Sequence, residues 1–296
     1  MQKFKSFILP IALILGYFFR DICSILSVTV PYVIFAILFL TFSGVKLSSL
    51  RPKKLDLSLS IFQTLASLLV FWVVLAFSGD EILAQGSMMC ILCPVASSVT
   101  VVASMLGANA VRTTTYTIIG NLLISIIAPA YITFITDQEG QTLANSYMMI
   151  FGKIAVVIAL PFIVVWLIQR FLSSFNEIIS HYKQFSFYLW AYALLVTIGQ
   201  TADFVVSRWR ESYDNVLWLG VSSLVVCIIQ FALGKCIGKR YGDKVAGGQL
   251  LAQKNTAMGI WMINTFLNPI ASVAMAYYSI WQNIYNSWQL YTNKKS

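Results

Sequence analysis

Apolar runs of about 20 residues recur along the whole chain, each closed by a short polar or charged connector, and each can cross a hydrocarbon core roughly 30 Å thick. The pattern predicts spans near residues 6–19, 26–45, 57–79, 81–106, 112–136, 148–172, 184–204, 215–234, 246–267 and 269–291. Backbone amides in lipid must be paired within their own segment, so runs of this length are read as helices. The expected fold class is all-α: a polytopic membrane protein of about ten transmembrane helices, with residues 1–296 as a single membrane domain.

Composition agrees. Hydrophobic residues make up 58% of the chain and charged residues 10%, with a mean hydropathy of +0.78, whereas soluble domains carry about 25% charged residues. The net charge of +9 would suggest nucleic acid in a soluble protein, but here it follows the connectors. With the N-terminus cytoplasmic, Lys3, Lys5, Lys46, Arg51, Lys53, Lys54, Arg112, Arg170, Lys183, Lys235, Lys239, Arg240, Lys244, Lys294 and Lys295 share one side. Only Arg20, Arg208 and Arg210 lie opposite, and Lys153 and Lys254 fall within spans. The positive-inside rule then places both termini in the cytoplasm, with the chain a multi-pass protein of the cytoplasmic (inner) membrane. The expected partners are the lipid bilayer and a small solute, with no nucleic acid.

Lys3 and Lys5 before an apolar stretch resemble a secretory signal, but a small-residue cleavage pattern is missing and Arg20-Asp21 is followed at once by another span. A first membrane helix is the expectation. Cys90 and Cys93 form a CxxC without a second pair or a nearby His, so packing is expected rather than metal or redox chemistry. The single histidine, His181, stands in a polar connector with Glu177 and Lys183. No cofactor and no enzymatic activity are expected, because no span holds two acids or a nucleophile with a base.

Interruptions of membrane helices are tolerated only where they are buried in protein or line a wet cavity, so they point to function. In the fourth span, Pro94 removes an amide donor, and Ser97, Ser98 and Thr100 follow. A break with a new half-helix and a simple proline kink are both open readings. The next span carries Thr113, Thr117 and Asn121 at four-residue spacing, one polar face that serves either helix–helix bonding or a site. The ninth span holds Gln253, Lys254, Asn255 and Thr256 in an otherwise apolar stretch. A charge that deep costs about 2.5–3.5 kcal/mol even on the lenient insertion scale, which points to function for Lys254, with a structural ion pair as the other reading. Lys153, near the end of its span, is expected to snorkel to water. The two interruptions fall in the fourth span of each half, the pointer to an inverted-repeat transporter, with repeat one at 1–138 and repeat two at 139–296.

With these motifs the chain resembles the bile acid:sodium symporter superfamily. The resemblance runs from Phe42-Ser43-Gly44-Val45-Lys46-Leu47-Ser48 through Cys93-Pro94, Gly107-Ala108-Asn109 and Gln253-Lys254-Asn255-Thr256. It ends at Tyr278-Ser279-Ile280-Trp281-Gln282-Asn283, where Gln282 replaces a family His. The resemblance implies two inverted five-helix repeats with broken, crossing fourth and ninth helices in a core domain. A panel domain is built from the first, second, sixth and seventh helices. It further implies transport of small organic anions as a secondary active, symporter-like carrier working by alternating access. The substrate would bind near Ser97, Ser98, Thr100, Lys254, Asn255 and Thr256.

Carried over residue by residue, the family's sodium ligands fall on Val99, Thr100, Thr113 and Thr117, and then on Leu250 and Lys254, or with a one-residue slip on Gln249 and Gln253. Neither alignment supplies the carboxylate a hard cation needs. The candidate cation site, or its surrogate, is therefore Thr100, Thr113, Thr117, Gln253 and Lys254, with the coupling ion either Na+ or H+. Lys254 has three open roles: an ammonium in place of sodium, a proton carrier, or a direct partner of the substrate anion. Gln200, Thr201 and Asp203 are weaker substrate contacts. An intramembrane enzyme and a non-transporting sensor on the same fold are the alternatives, and a channel would be expected to show polar stripes on more helices.

Overall fold

The computed structural model describes residues 11–293 apart from 12–13, 97, 137–141 and 208. Half of the expected first span, and Ser97, lie outside these. Thirteen helices are named in chain order: α1 (Arg20–Leu26), α2 (Val30–Ser43), α3 (Lys54–Ser78), α4 (Glu81–Leu92), α5 (Val99–Met105), α6 (Ala110–Ile135), α7 (Leu143–Phe171), α8 (Ser173–His181), α9 (Phe185–Ser207), α10 (Trp209–Arg240), α11 (Lys244–Ala252), α12 (Thr256–Phe266) and α13 (Ser272–Asn293). There is no strand among the described residues.

Among the described residues, six segments are long and apolar enough to cross a membrane: Arg20–Ser43, Lys54–Ser78, Val111–Ile135, Leu143–Phe171, Phe185–Ser207 and Asp214–Arg240. The expected fourth and ninth spans are each divided, α4 from α5 and α11 from α12, into pieces too short to qualify. Large apolar side chains cover the outer faces: Phe77 is 90% exposed and Ile25 77%, a surface that suits lipid and not water.

The second span starts earlier than the sequence pattern places it. Arg20 and Asp21, expected in a connector, are helical and open the Arg20–Ser43 span. The Ser27 and Thr29 hydroxyls donate to the Ser24 and Leu26 carbonyls at 2.7 Å, so the 3-10 turn Ser27–Thr29 joins α1 to α2 with its backbone still satisfied.

Two helical hairpins lead into the interruptions. α3 turns into α4 through Gly79 (φ 67°) and Asp80, whose carboxylate accepts from Leu83 N at 3.1 Å. α10 turns into α11 through Gly242 (φ 74°) and Asp243, which accepts from Ala246 N at 2.9 Å. Left-handed glycine followed by an aspartate cap reverses the chain without a loop. In the second hairpin, Gly234 and Gly238 of α10 face Gly247 of α11, and a Cβ on any of them would meet the backbone of the other helix. Gly234 and Gly238 are one turn apart, the small-xxx-small spacing that lets membrane helices touch backbone to backbone.

The helices sort into two groups. α1, α2 and α9 pack together, with α7 against α2. The hairpins α3–α4 and α10–α11 form the other group with α5, α6, α12 and α13. The groups meet where α7 packs along α6 and where α9 packs on α12 and on the turn Pro269–Ala271, and none of α1, α2, α7 or α9 packs closely on α5 or α11 among the described residues.

Candidate functional site

The site is built from chain ends that cannot complete their own hydrogen bonds. α4 stops at Leu92 because Pro94 has no amide to continue the ladder, and α11 stops at Ala252. The two breaks solve the problem jointly. Ala96 N donates to Gln253 O at 3.0 Å and Asn255 N donates to Pro94 O at 2.8 Å, so Val95 and Lys254 lie side by side as a short antiparallel bridge. The divided helices therefore cross, backbone against backbone.

Side chains pair the remaining groups. Asn121 Oδ1 accepts from Val95 N at 3.0 Å. Gln282 accepts from Lys254 N at 2.8 Å and donates to Lys254 O at 3.2 Å, so one amide holds both main-chain groups of that residue. Gln63 donates to the carbonyls of Leu92 and Cys93 at 3.0 and 3.1 Å while accepting from Tyr116. Tyr278 donates to Ala252 O at 2.7 Å, and Gln230 donates to the Tyr278 hydroxyl and to Cys90 O. Neutral donors thus cover the carbonyl ends of α4 and α11. Asn255 caps α12 by accepting from Met258 N at 3.3 Å, while its carbonyl accepts from the Cys93 thiol.

Lys254 is 1% exposed, and its ammonium nitrogen has no hydrogen-bond partner among the described residues. It donates to none of Thr100, Thr113 or Thr117. Gln253, also buried, donates weakly to Ser98 Oγ at 3.4 Å and keeps an unpartnered Oε1. Ser98 is exposed and Thr100 half-buried, with Thr114 donating to Thr100 at 3.4 Å. Thr113 and Thr117 are buried, and their hydroxyls donate to Asn109 O and Thr113 O. Thr256 is buried and donates to Ser279 at 3.2 Å. Leu250, on which one alignment would put a carboxylate, is fully buried in α11.

The buried Lys254 ammonium thus leaves donors at this crossing that no described side chain accepts. A family model for SBF-like CPA transporters matches residues 6–294. The chain belongs to the SBF-like CPA transporter family. It is a membrane protein of several apolar helices in a transporter family related to the bile acid:sodium symporters. No curated protein matches it significantly.

Gln63, Tyr116 and Gln230 carry the crossing yet were not singled out from the sequence. The available signal was a lone glutamine inside each of two apolar runs, Phe62-Gln63-Thr64 and Ile229-Gln230-Phe231. Gln200 and Thr201 lie where the helix groups meet: Asn264 donates to Gln200 at 3.0 Å and Thr201 shares a 2.9 Å bond with Ser272. Lys153 is exposed, 5.8 Å from the Phe266 ring centre.

Replacing Gln282 by Leu would strand both main-chain groups of Lys254, a cost of about 1–3 kcal/mol for each group left unpaired. Thermal unfolding in mild detergent is expected to show this loss. An unchanged unfolding temperature would mean that water or another side chain replaces the clamp.

Proposed function

We propose that the protein is a secondary active transporter that carries small organic anions across the cytoplasmic membrane by alternating access, with Lys254 supplying the charge that holds the substrate. The observation that carries this reading is the buried, unpartnered ammonium at the crossing of two divided helices. An ammonium without a protein acceptor is costly in a dry interior, and an anionic carboxylate or sulfonate relieves that cost. The role in place of sodium is less well supported, since it needs Lys254 to donate to Thr100, Thr113 and Thr117.

Two inverted five-helix repeats, giving ten crossings in all, are supported by paired details. Gly79-Asp80 before α4 has its counterpart in Gly242-Asp243 before α11. A glutamine–tyrosine pair serves the first half-helix in each case: Gln63, which accepts from Tyr116, donates to the carbonyl end of α4, and Tyr278, which accepts from Gln230, donates to that of α11. α1, α2, α7 and α9 would act as the panel and the other group as the core. α7 packs on α6 and α9 on α12 and Pro269–Ala271, whereas α5 and α11 stay clear of the panel; α11 starts at the end rich in Lys and Arg, which the positive-inside rule makes cytoplasmic.

Uptake of labelled carboxylates and bile-acid-like sulfonates into proteoliposomes, with imposed sodium or proton gradients, tests the reading. Saturable anion uptake that does not need sodium is expected. Uptake driven only by sodium would return the missing cation site to the protein, and no uptake of any anion would favour a non-transporting sensor.

A further inference from the structure

The end rich in Lys and Arg holds a cavity of about 710 Å3, apart from the crossing. Lys53 and Lys54 at the start of α3, Arg112 in the first turn of α6 and Tyr241 in the α10–α11 turn line it. Arg112 is only 14% exposed. Its contact to Asp243, at 3.4 Å, is long, and its Nε is buried without an acceptor among the described residues. Two carboxylates lie nearby, Asp243 and Asp56. Each has one oxygen committed to a helix start, Asp243 on Ala246 N and Asp56 on Lys53 N, while Asp56 Oδ1 is buried and unpartnered. Arg51 and Lys244 lie close by in the sequence, so positive charge prevails around the mouth.

The same cavity is apolar on its membrane side. Leu57 lines it and is 64% exposed, and Ile61, Leu65 and Leu69, at four-residue spacing below it, are 50%, 63% and 63% exposed. Residues four apart share one helix face, so this is a continuous apolar strip running from the basic cavity into the membrane. Tyr241, bonded to Ser58 at 2.7 Å, stands at the rim where an amphipathic ring is at home. Cations at headgroup depth above an apolar strip match an amphiphile with a phosphate head.

We propose that this cavity binds a phosphate-bearing anion, with the headgroup of an anionic phospholipid on Lys53, Lys54 and Arg112 and an acyl chain along Leu57, Ile61, Leu65 and Leu69. The site is separate from the substrate site and does not depend on the transport reading.

The test is thermal unfolding of the full chain in detergent micelles with dioleoyl phosphatidylglycerol, dioleoyl phosphatidylcholine or inorganic phosphate added. Phosphatidylglycerol is expected to raise the midpoint by about 5 °C near saturation, and phosphatidylcholine is not. The rise should be lost in K53Q/K54Q and kept in K239Q/R240Q, whose charges lie outside the cavity. Inorganic phosphate giving the same rise would support the site and assign it to a soluble anion. An equal rise with both lipids, or in K53Q/K54Q, would overturn the proposal, as would equal loss in both double variants. Native mass spectrometry of the unaltered protein needs no variant: phosphatidylglycerol should be retained in preference to phosphatidylcholine, and equal retention counts against the site.

Discussion

Lys254→Gln is expected to weaken transport of an organic anion by about 10–100-fold, the loss of one charge-assisted hydrogen bond of about 1.5–3 kcal/mol, while leaving the protein at least as stable as before. The two halves of this expectation come from one fact. The Lys254 ammonium is buried and unpartnered, so the folded, empty protein gains nothing from it and bears its desolvation. Removing the charge should relieve a cost of up to about 2.5–3.5 kcal/mol on the insertion scale, and Lys254→Met should relieve it further. Loss of activity with retained or raised stability separates a functional residue from a structural one. The measurements are initial uptake rates against substrate concentration in proteoliposomes and the unfolding midpoint of the same preparations. A fall in stability with uptake in proportion would make Lys254 structural. Unchanged uptake would remove it from the substrate site.

Gly247→Val is expected to prevent the α10–α11 hairpin from closing, at about 3 kcal/mol or more, and to leave little folded protein. A Cβ at Gly247 would meet the carbonyl oxygen of Gly234 and the main chain of Gly238. Backbone atoms of two packed helices cannot rotate aside as a side chain does, so the helices must separate. Separation would shift α11, and with it Gln253 and Lys254, away from Pro94 and Ala96. Gly152→Ala is the control: nothing lies within 4 Å of a Cβ there, and alanine is the better helix former. Size-exclusion profiles and unfolding midpoints of the two variants, compared with the parent, check the expectation. A well-folded Gly247→Val protein would show that the hairpin has room that the close backbone approach denies.

What the sequence alone determined was local. Unbroken apolar runs dictated helices, because nothing else keeps amides paired in lipid. Pro94 and the polar run Gln253–Thr256 marked where two of those helices fail, and Lys254 stood out by the cost of its charge. The charged pair Arg20-Asp21 has the look of a connector in the sequence but is helical, and the Ser27 and Thr29 hydroxyls, bonded to nearby carbonyls, accompany the join to the next helix. What only the tertiary structure decided was which broken end meets which. The Cys93–Asn255 contact joins residues 162 apart in sequence, and no periodicity encodes a partner at that distance. The same holds for the Gln282 amide on Lys254, for Gln63 and Gln230 on the carbonyl ends, and for the cavity that gathers Lys53, Lys54 and Arg112 from separate helices. Polar side chains buried in a membrane protein bind whatever unsatisfied group packing brings to them, so their roles appear only once the helices are assembled.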